Sequence, residues 1–93
     1  MRKNWVYIMT NQRNGTLYIG STSNLPLRVE QHKSGTGSDF TAKYNLTQLV
    51  WFEAFDEYDT AIAQERRMKK WRRQWKLNLI EKVNPEWQDL RPY

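Results

Sequence analysis

The tightest constraint on how this chain folds lies near its N-terminus, where Asn14-Gly15 separates two segments of strand character. Trp5-Val6-Tyr7-Ile8-Met9-Thr10 and Leu17-Tyr18-Ile19-Gly20-Ser21 are both rich in β-branched and aromatic residues. Asn and Gly tolerate the positive φ angles of tight strand-joining turns, so the two segments are predicted to form an antiparallel hairpin. A turn centred on Asn14-Gly15 pairs residues whose numbers sum to about 29, which sets Tyr7 nearly opposite Thr22. That register puts Tyr7 and Tyr18 on one face but not directly opposite, and a longer loop or a bulge would change their separation. Taken alone, two aromatics on one sheet face read more readily as core than as a site.

Downstream, Ser23 or Asn24 is placed to cap a helix, Pro26 suits its first turn, and Leu25 and Val29 form an apolar i,i+4 pair before Gly35 stops it. Arg28 and His32 are also i,i+4 and share one face of that helix. Ser34 to Asp39 reads as a loop, and Leu46 to Phe55 as a third strand with Leu49, Trp51 and Phe52 available for packing. Asp56-Glu57-Tyr58-Asp59 puts negative charge at the positive end of a long helix, roughly Asp59 to Arg73. A last helix runs from about Trp75 to Lys82, ahead of Asn84-Pro85. The order ββαβαα predicts a layered α+β fold, a three-stranded and mainly antiparallel sheet flanked by helices.

A chain of 93 residues suits one domain, taken as 1–93, with one hydrophobic core. The absence of cysteine excludes disulfides and thiolate zinc sites, so packing has to hold the fold. No apolar run approaches the roughly 20 residues of a membrane span, and Met1-Arg2-Lys3-Asn4 leads into a strand rather than a signal segment. A cytoplasmic protein is the expectation.

The net charge of +5 matters less than its placement: seven of the fifteen basic residues fall between Arg66 and Lys76. Such a cluster is a footprint for a polyanion. A membrane-surface helix needs a clean apolar face, and here Met68, Trp71 and Trp75 alone supply one, so nucleic acid is favoured over lipid. Lys33, Lys43, Lys69, Lys70, Arg72, Arg73 and Lys76 are the expected phosphate contacts. Trp71 and Trp75 read as anchors of two helices in the core rather than as stacking platforms.

At about 100° per residue, Ala61, Glu65, Met68 and Arg72 share about one quarter of their helix circumference, so Glu65 rises beside apolar neighbours. A carboxylate there is either paired with an intrachain base or looks into a cleft as a metal ligand or general base. Arg28 offers a planar fork for phosphate oxygens, and His32 titrates near neutrality, but each alone also reads as an ordinary helix residue. Asn84 reads as the cap of a short turn or helix that Pro85 opens, with Trp87 and Leu90 packing its far side.

Taken in order, Val6-Tyr7, Tyr18-Ile19-Gly20, Arg28, His32, Glu65 on a helix and Asn84 near the end resemble the GIY-YIG endonuclease family. The likeness spans nearly the whole chain. It is greatest to small stand-alone bacterial members, through Phe40-Thr41-Ala42-Lys43-Tyr44, Leu49-Val50-Trp51 and Asn84-Pro85-Glu86-Trp87 followed by Asp89-Leu90. One departure is Trp5, which stands where the family's first motif begins with glycine. The resemblance implies that Tyr7, Tyr18, Arg28, His32, Glu65 and Asn84 form one catalytic site hydrolysing DNA phosphodiester bonds. It implies one divalent ion, Mg²⁺ or Mn²⁺, with Glu65 as the sole protein ligand. On this reading Arg28 holds a nonbridging phosphate oxygen and Tyr7 activates water, aided by cationic neighbours including His32. Tyr18 orients the water or phosphate, and His32 passes the proton on.

The competing expectation is a nucleic-acid-binding module that kept the fold and does not cut. A protein-interaction module explains neither the basic helix nor Glu65. No further domain within the chain reads bases, so a homodimer or a partner protein is expected to supply specificity.

Overall fold

The computed structural model describes residues 3–92; Met1, Arg2 and Tyr93, and with them the start of the lead-in segment and both ends of the expected domain, lie outside the described residues. Strands β1 (Asn4–Thr10) and β2 (Leu17–Thr22) pair antiparallel, but two residues away from the expected register. Tyr7 is opposite Gly20 rather than Thr22, and Met9 is opposite Tyr18. The cause is the connection, a closed loop over residues 11–16 instead of a two-residue turn. Gly15 N donates to Gln12 O at 2.9 Å, and the Thr10 hydroxyl donates to Gln12 O and Thr16 O at 3.0 and 2.8 Å. Thr16 N donates to Asn11 Oδ1, and Asn14 takes a φ of 57°. A shift of two preserves side-chain parity, so Tyr7 and Tyr18 still share a face.

Strand β3 (Gln48–Phe55) pairs antiparallel with β1 and completes a sheet of order β2-β1-β3. Lying centrally, β1 is covered on both faces, and Val6 through Thr10 are all fully buried. On one face Tyr7, Met9, Leu25, Val29, Leu46 and Leu49 pack together with Trp5 and Phe52 against them. On the other, Val6, Ile8, Ile19, Val50 and Trp51 meet Ala61, Met68, Ile80 and Trp87. A bulge lets β3 serve both: Trp51 is opposite Ile8 and Leu49 opposite Met9, so Val50 is the extra residue and points with Trp51.

Helix α1 (Leu25–Lys33) covers the first face; Asn24 caps it by accepting from Leu27 N, and Gly35 beyond it takes a φ of 83°. A short helix, α2 (Asp39–Lys43), comes next, at the end of the expected loop, because the Ser38 side chain accepts from Thr41 N and starts a turn. The order is therefore ββααβαα, the expected architecture with one added helix. On the second face lie α3 (Tyr58–Lys69) and α4 (Arg73–Val83). The expected long helix ends at Lys69, and the break redirects the chain beyond it: Trp71 packs against the core while Trp75 is 53% exposed, so only the first anchors the helices as expected.

The C-terminal segment closes the outer edge of β3. Asn84 Nδ2 donates to the bulge carbonyl Val50 O (3.1 Å) and to Gln88 O (2.9 Å), while Gln88 N donates to Asn84 Oδ1. Leu90 N then donates to Leu49 O at 2.7 Å, and Leu49 N to Asp89 Oδ1 at 2.9 Å.

Candidate active site

Of the expected residues, Tyr7, Tyr18, His32 and Glu65 gather around β2, with Arg28 acting on both phenols. Tyr7 projects from β1 across Gly20, where a Cβ would lie 2.5 Å from the Tyr7 hydroxyl, so glycine is what lets the phenol cross the neighbouring strand. Its ring lies 6.3 Å from that of Tyr18, centroid to centroid. From α1, His32 packs between them at 5.5 Å from the Tyr7 ring and edge-on at 5.4 Å from the Tyr18 ring. Tyr7 Oη and His32 Nε2 are 2.8 Å apart, and His32 Nδ1 is 3.0 Å from Thr41 Oγ1, which in turn bonds Ser38. Gly37 brings its backbone so close to His32 that a Cβ there would sit 2.3 Å from Nδ1.

The direction of this hydrogen-bonded chain is set by its ends. Arg28, one helical turn before His32, interacts with both phenols and has only donors to offer. Thr41 gives its hydroxyl proton to Ser38 O at 3.2 Å, which leaves His32 Nδ1–H to donate to Thr41 and His32 Nε2 to accept the proton of Tyr7. His32 is then the Nδ1–H tautomer.

Burial sets the charge states. Tyr7 is fully buried, which pushes its phenol up to about 12 against the opposing pull of Arg28. His32, 1% exposed, is driven down to about 4, first by burial and then by the Arg28 charge. Arg28 is itself raised, chiefly by its hydrogen bond to Tyr7. Both members of the tyrosine–histidine pair are thus neutral at physiological pH, so His32 does not contribute to the cationic field expected around Tyr7. Among the described residues Arg28 supplies it.

Glu65 reaches β2 from the opposite face. Ser21, next to Gly20, donates its hydroxyl to Glu65 Oε1 at 2.5 Å, and Lys69 pairs with Oε2 at 2.6 Å. The Glu65 charge is felt at the Tyr7 phenol, which it helps to raise. Its side chain is 15% exposed, and the expected pairing with a basic residue of the same chain is present. Among the described residues no group of three or more His, Cys, Asp or Glu forms a metal cage.

Asn84 stands apart in its contacts. Its 5%-exposed amide is committed to Val50, the C-terminal turn and the edge of β3, and it caps that turn as its sequence suggests. The basic residues divide in the same way. Lys69 and Lys76 line a recess with Tyr18, Lys43 lies over the Tyr44 ring at 5.4 Å, and Lys70 and Arg72 are exposed. Arg73 instead clamps the hairpin loop, donating to Asn14 O and Gly15 O at 2.7 and 2.6 Å. Lys33 ties α1 to Thr47 O ahead of β3 and to Asp89 of the C-terminal segment. Ser21 and Thr41 were not among the sequence candidates: small hydroxyl residues carry no signal of their own, and their partners are distant in the chain. Trp5 packs beside Tyr7 and Met9 on the α1 face.

The family model described as the GIY-YIG catalytic domain matches residues 3–78. A UPF0213 protein of Syntrophus aciditrophicus is 39% identical over 87 residues, covering 92% of this chain and 98% of the relative. A UPF0213 protein of Staphylococcus haemolyticus is 36% identical over 81 residues, covering 87% and 98%. The solution NMR structure of a UPF0213 protein from Bacillus halodurans superposes with a TM-score of 0.57 at 27% identity, covering 92% of this chain and 90% of that one.

Proposed function

The chain belongs to the GIY-YIG family, a family of endonucleases, and from the geometry of its site we propose that it is a metal-dependent endonuclease hydrolysing DNA phosphodiester bonds by an activated water. The observation that carries this reading is the directed relay from Tyr7 through His32 to Thr41, with the Arg28 charge acting on the tyrosine and Glu65 bonded to Ser21 of the neighbouring strand. A phenol hydrogen-bonded to a neutral imidazole can take a proton from water as it passes its own to His32 Nε2; no phenolate forms, and His32 holds the proton as the imidazolium until the departing oxygen or solvent takes it.

Arg28 acts on the charge of the Tyr7 phenol, and on engaging a phosphate its guanidinium would hold a nonbridging oxygen as negative charge develops there. Water then adds to phosphorus as the ester bond to the departing sugar oxygen breaks. Tyr18, edge-on to His32, would orient the water or the phosphate. Glu65 would hold a single Mg²⁺ or Mn²⁺ ion, and one carboxylate suits an ion that keeps most of its waters. Lys69 already marks a cation position on Oε2 and is exposed enough to yield it. When bound, the ion supplies positive charge to the phosphate and the departing oxygen. Asn84 enters this scheme as a positioning residue. Cytoplasmic DNA is the substrate this reading assigns, and no helix among the described residues is long and apolar enough to cross a membrane.

The Lys69–Glu65 ion pair favours one alternative, a DNA-binding module that does not cut, since a carboxylate satisfied by its own lysine requires no metal. Incubating the purified chain and its Glu65→Ala variant with plasmid DNA and Mg²⁺ or Mn²⁺ separates the two. Nicking by the wild type alone, with both proteins equally folded by circular dichroism, supports the enzyme. Identical traces for the two proteins sink it.

A further inference from the structure

Beside the catalytic residues lies a recess of about 300 Å³ lined by Leu17, Tyr18, Ile19, Phe40, Lys69 and Lys76. We propose that this recess receives an unpaired nucleobase of the strand being cut, stacked on Phe40 and flanked by Lys69 and Lys76, and that the chain therefore acts on single-stranded DNA in preference to duplex. The location beside the cut rests on the endonuclease reading; the binding itself does not.

Three observations converge on it. First, α2 and the residue that ends it expose two aromatics that packing does not explain. Phe40 and Tyr44 are 43% and 42% exposed and belong to neither apolar core, while Thr41 between them faces inward to His32. Second, these rings continue a path out of the site: Tyr18 to Phe40 is 6.2 Å between centroids at 30°, and Phe40 to Tyr44 is 4.9 Å. A line of near-contacting rings with one face open is a stacking platform that tolerates any base. Third, the platform is edged by cations, with Lys69 and Lys76 at the recess and Lys43 over the Tyr44 ring at 5.4 Å, so the phosphates on either side of a stacked base meet positive charge. The volume is at the low end of ligand pockets, typically about 300–1,000 Å³, and suits one planar base.

Duplex DNA keeps its bases stacked inside and must unpair one to fill the recess, at an energetic cost that a single strand does not bear. That difference is the source of the preference for unpaired DNA. It places the selectivity in Phe40, a residue outside the relay and the carboxylate.

The test is binding in metal-free buffer, where the strand stays intact, using a fluorescent single-stranded oligonucleotide, the matching duplex, and oligonucleotides carrying 2-aminopurine at successive positions. The wild type is expected to bind single strand more tightly than duplex and to quench 2-aminopurine by stacking. Phe40→Ala should weaken single-strand binding about tenfold, leave duplex binding unchanged and restore the fluorescence. Phe40→Tyr, which keeps a stacking face, should retain both affinity and quenching. Equal affinity for single strand and duplex, or a Phe40→Ala variant of unchanged affinity and quenching, overturns the proposal. The two readings fail separately: a chain that binds single strand through Phe40 and cuts nothing refutes only the enzyme, whereas one that cuts duplex regardless of Phe40 refutes only the recess.

Discussion

Acidification from about pH 7 to 4 is expected to cost about 3 kcal/mol of folding stability through His32 alone. The imidazole is 1% exposed, and burial followed by the Arg28 charge lowers it from 6.5 to about 4. The unfolded chain takes up its proton near 6.5 and the folded chain only near 4. Between those values the unfolded state binds a proton that the native state does not, so stability falls with the pH across that window. The contribution is fully present above 6.5 and lost as the pH falls through 4. At 1.36 kcal/mol per pH unit the gap amounts to about 3 kcal/mol, a large part of the roughly 5–15 kcal/mol that holds a domain together. Urea unfolding followed by tryptophan fluorescence at about pH 7, 5.5 and 4 measures the loss. The ten Asp and Glu residues titrate in the same range, so the quantity of interest is the difference between wild type and His32→Gln, which lacks the imidazole. The chain has one histidine, so its ring proton resonances also report the native pKa directly. Wild-type and variant stabilities falling in parallel, or a folded-state imidazole titrating near 6.5, would refute the reasoning and with it the neutral relay.

Gly20→Ala should drive a Cβ to within 2.5 Å of the Tyr7 hydroxyl, destabilising the fold by about 1–3 kcal/mol and lowering kcat/KM at least about 100-fold in a nicking assay. Activity close to wild type would show that the phenol need not lie across β2. Asn84→Ala leaves the Val50 and Gln88 carbonyls without their donor and should cost about 2 kcal/mol by urea unfolding. Lost cutting at unchanged stability would instead place Asn84 in the chemistry. Lys70→Ala should flatten the salt dependence of DNA binding by about 0.7–0.9 in the log–log slope. Arg73→Ala should leave that slope alone and lower the melting temperature, because its guanidinium holds the hairpin loop.

What the sequence made legible was periodic: alternation in the hairpin and i,i+4 spacing on the helices. Parity alone put Tyr7 and Tyr18 on one face, and helical spacing put Arg28 with His32. Contacts made at long range could not be read in the same way. The hairpin register slipped by two because Thr10 and Asn11 bind the loop backbone, which no turn dipeptide announces. Glu65 was legible as a carboxylate among apolar neighbours, but the Ser21 hydroxyl that holds it comes from a strand 44 residues away. Charge counting likewise marked Lys33 and Arg73 as phosphate contacts, although Asp89 and the hairpin loop carbonyls engage them within the fold. A break of a few residues after Lys69 was enough to turn Trp75 outward.

The segment laid along β3 also governs how copies of the protein behave in company. An uncovered strand edge is a template on which other chains polymerise, and a three-stranded sheet has little else to protect it. Here Asp89 and Leu90 occupy the hydrogen-bonding groups of Leu49, and Asn84 takes the carbonyl of Val50. Proteolytic trimming ahead of Gln88 would strip that cover and leave Leu49 open to recruitment. Resistance to edge-to-edge pairing along β3 therefore resides in Asp89 and Leu90, apart from the relay and Glu65.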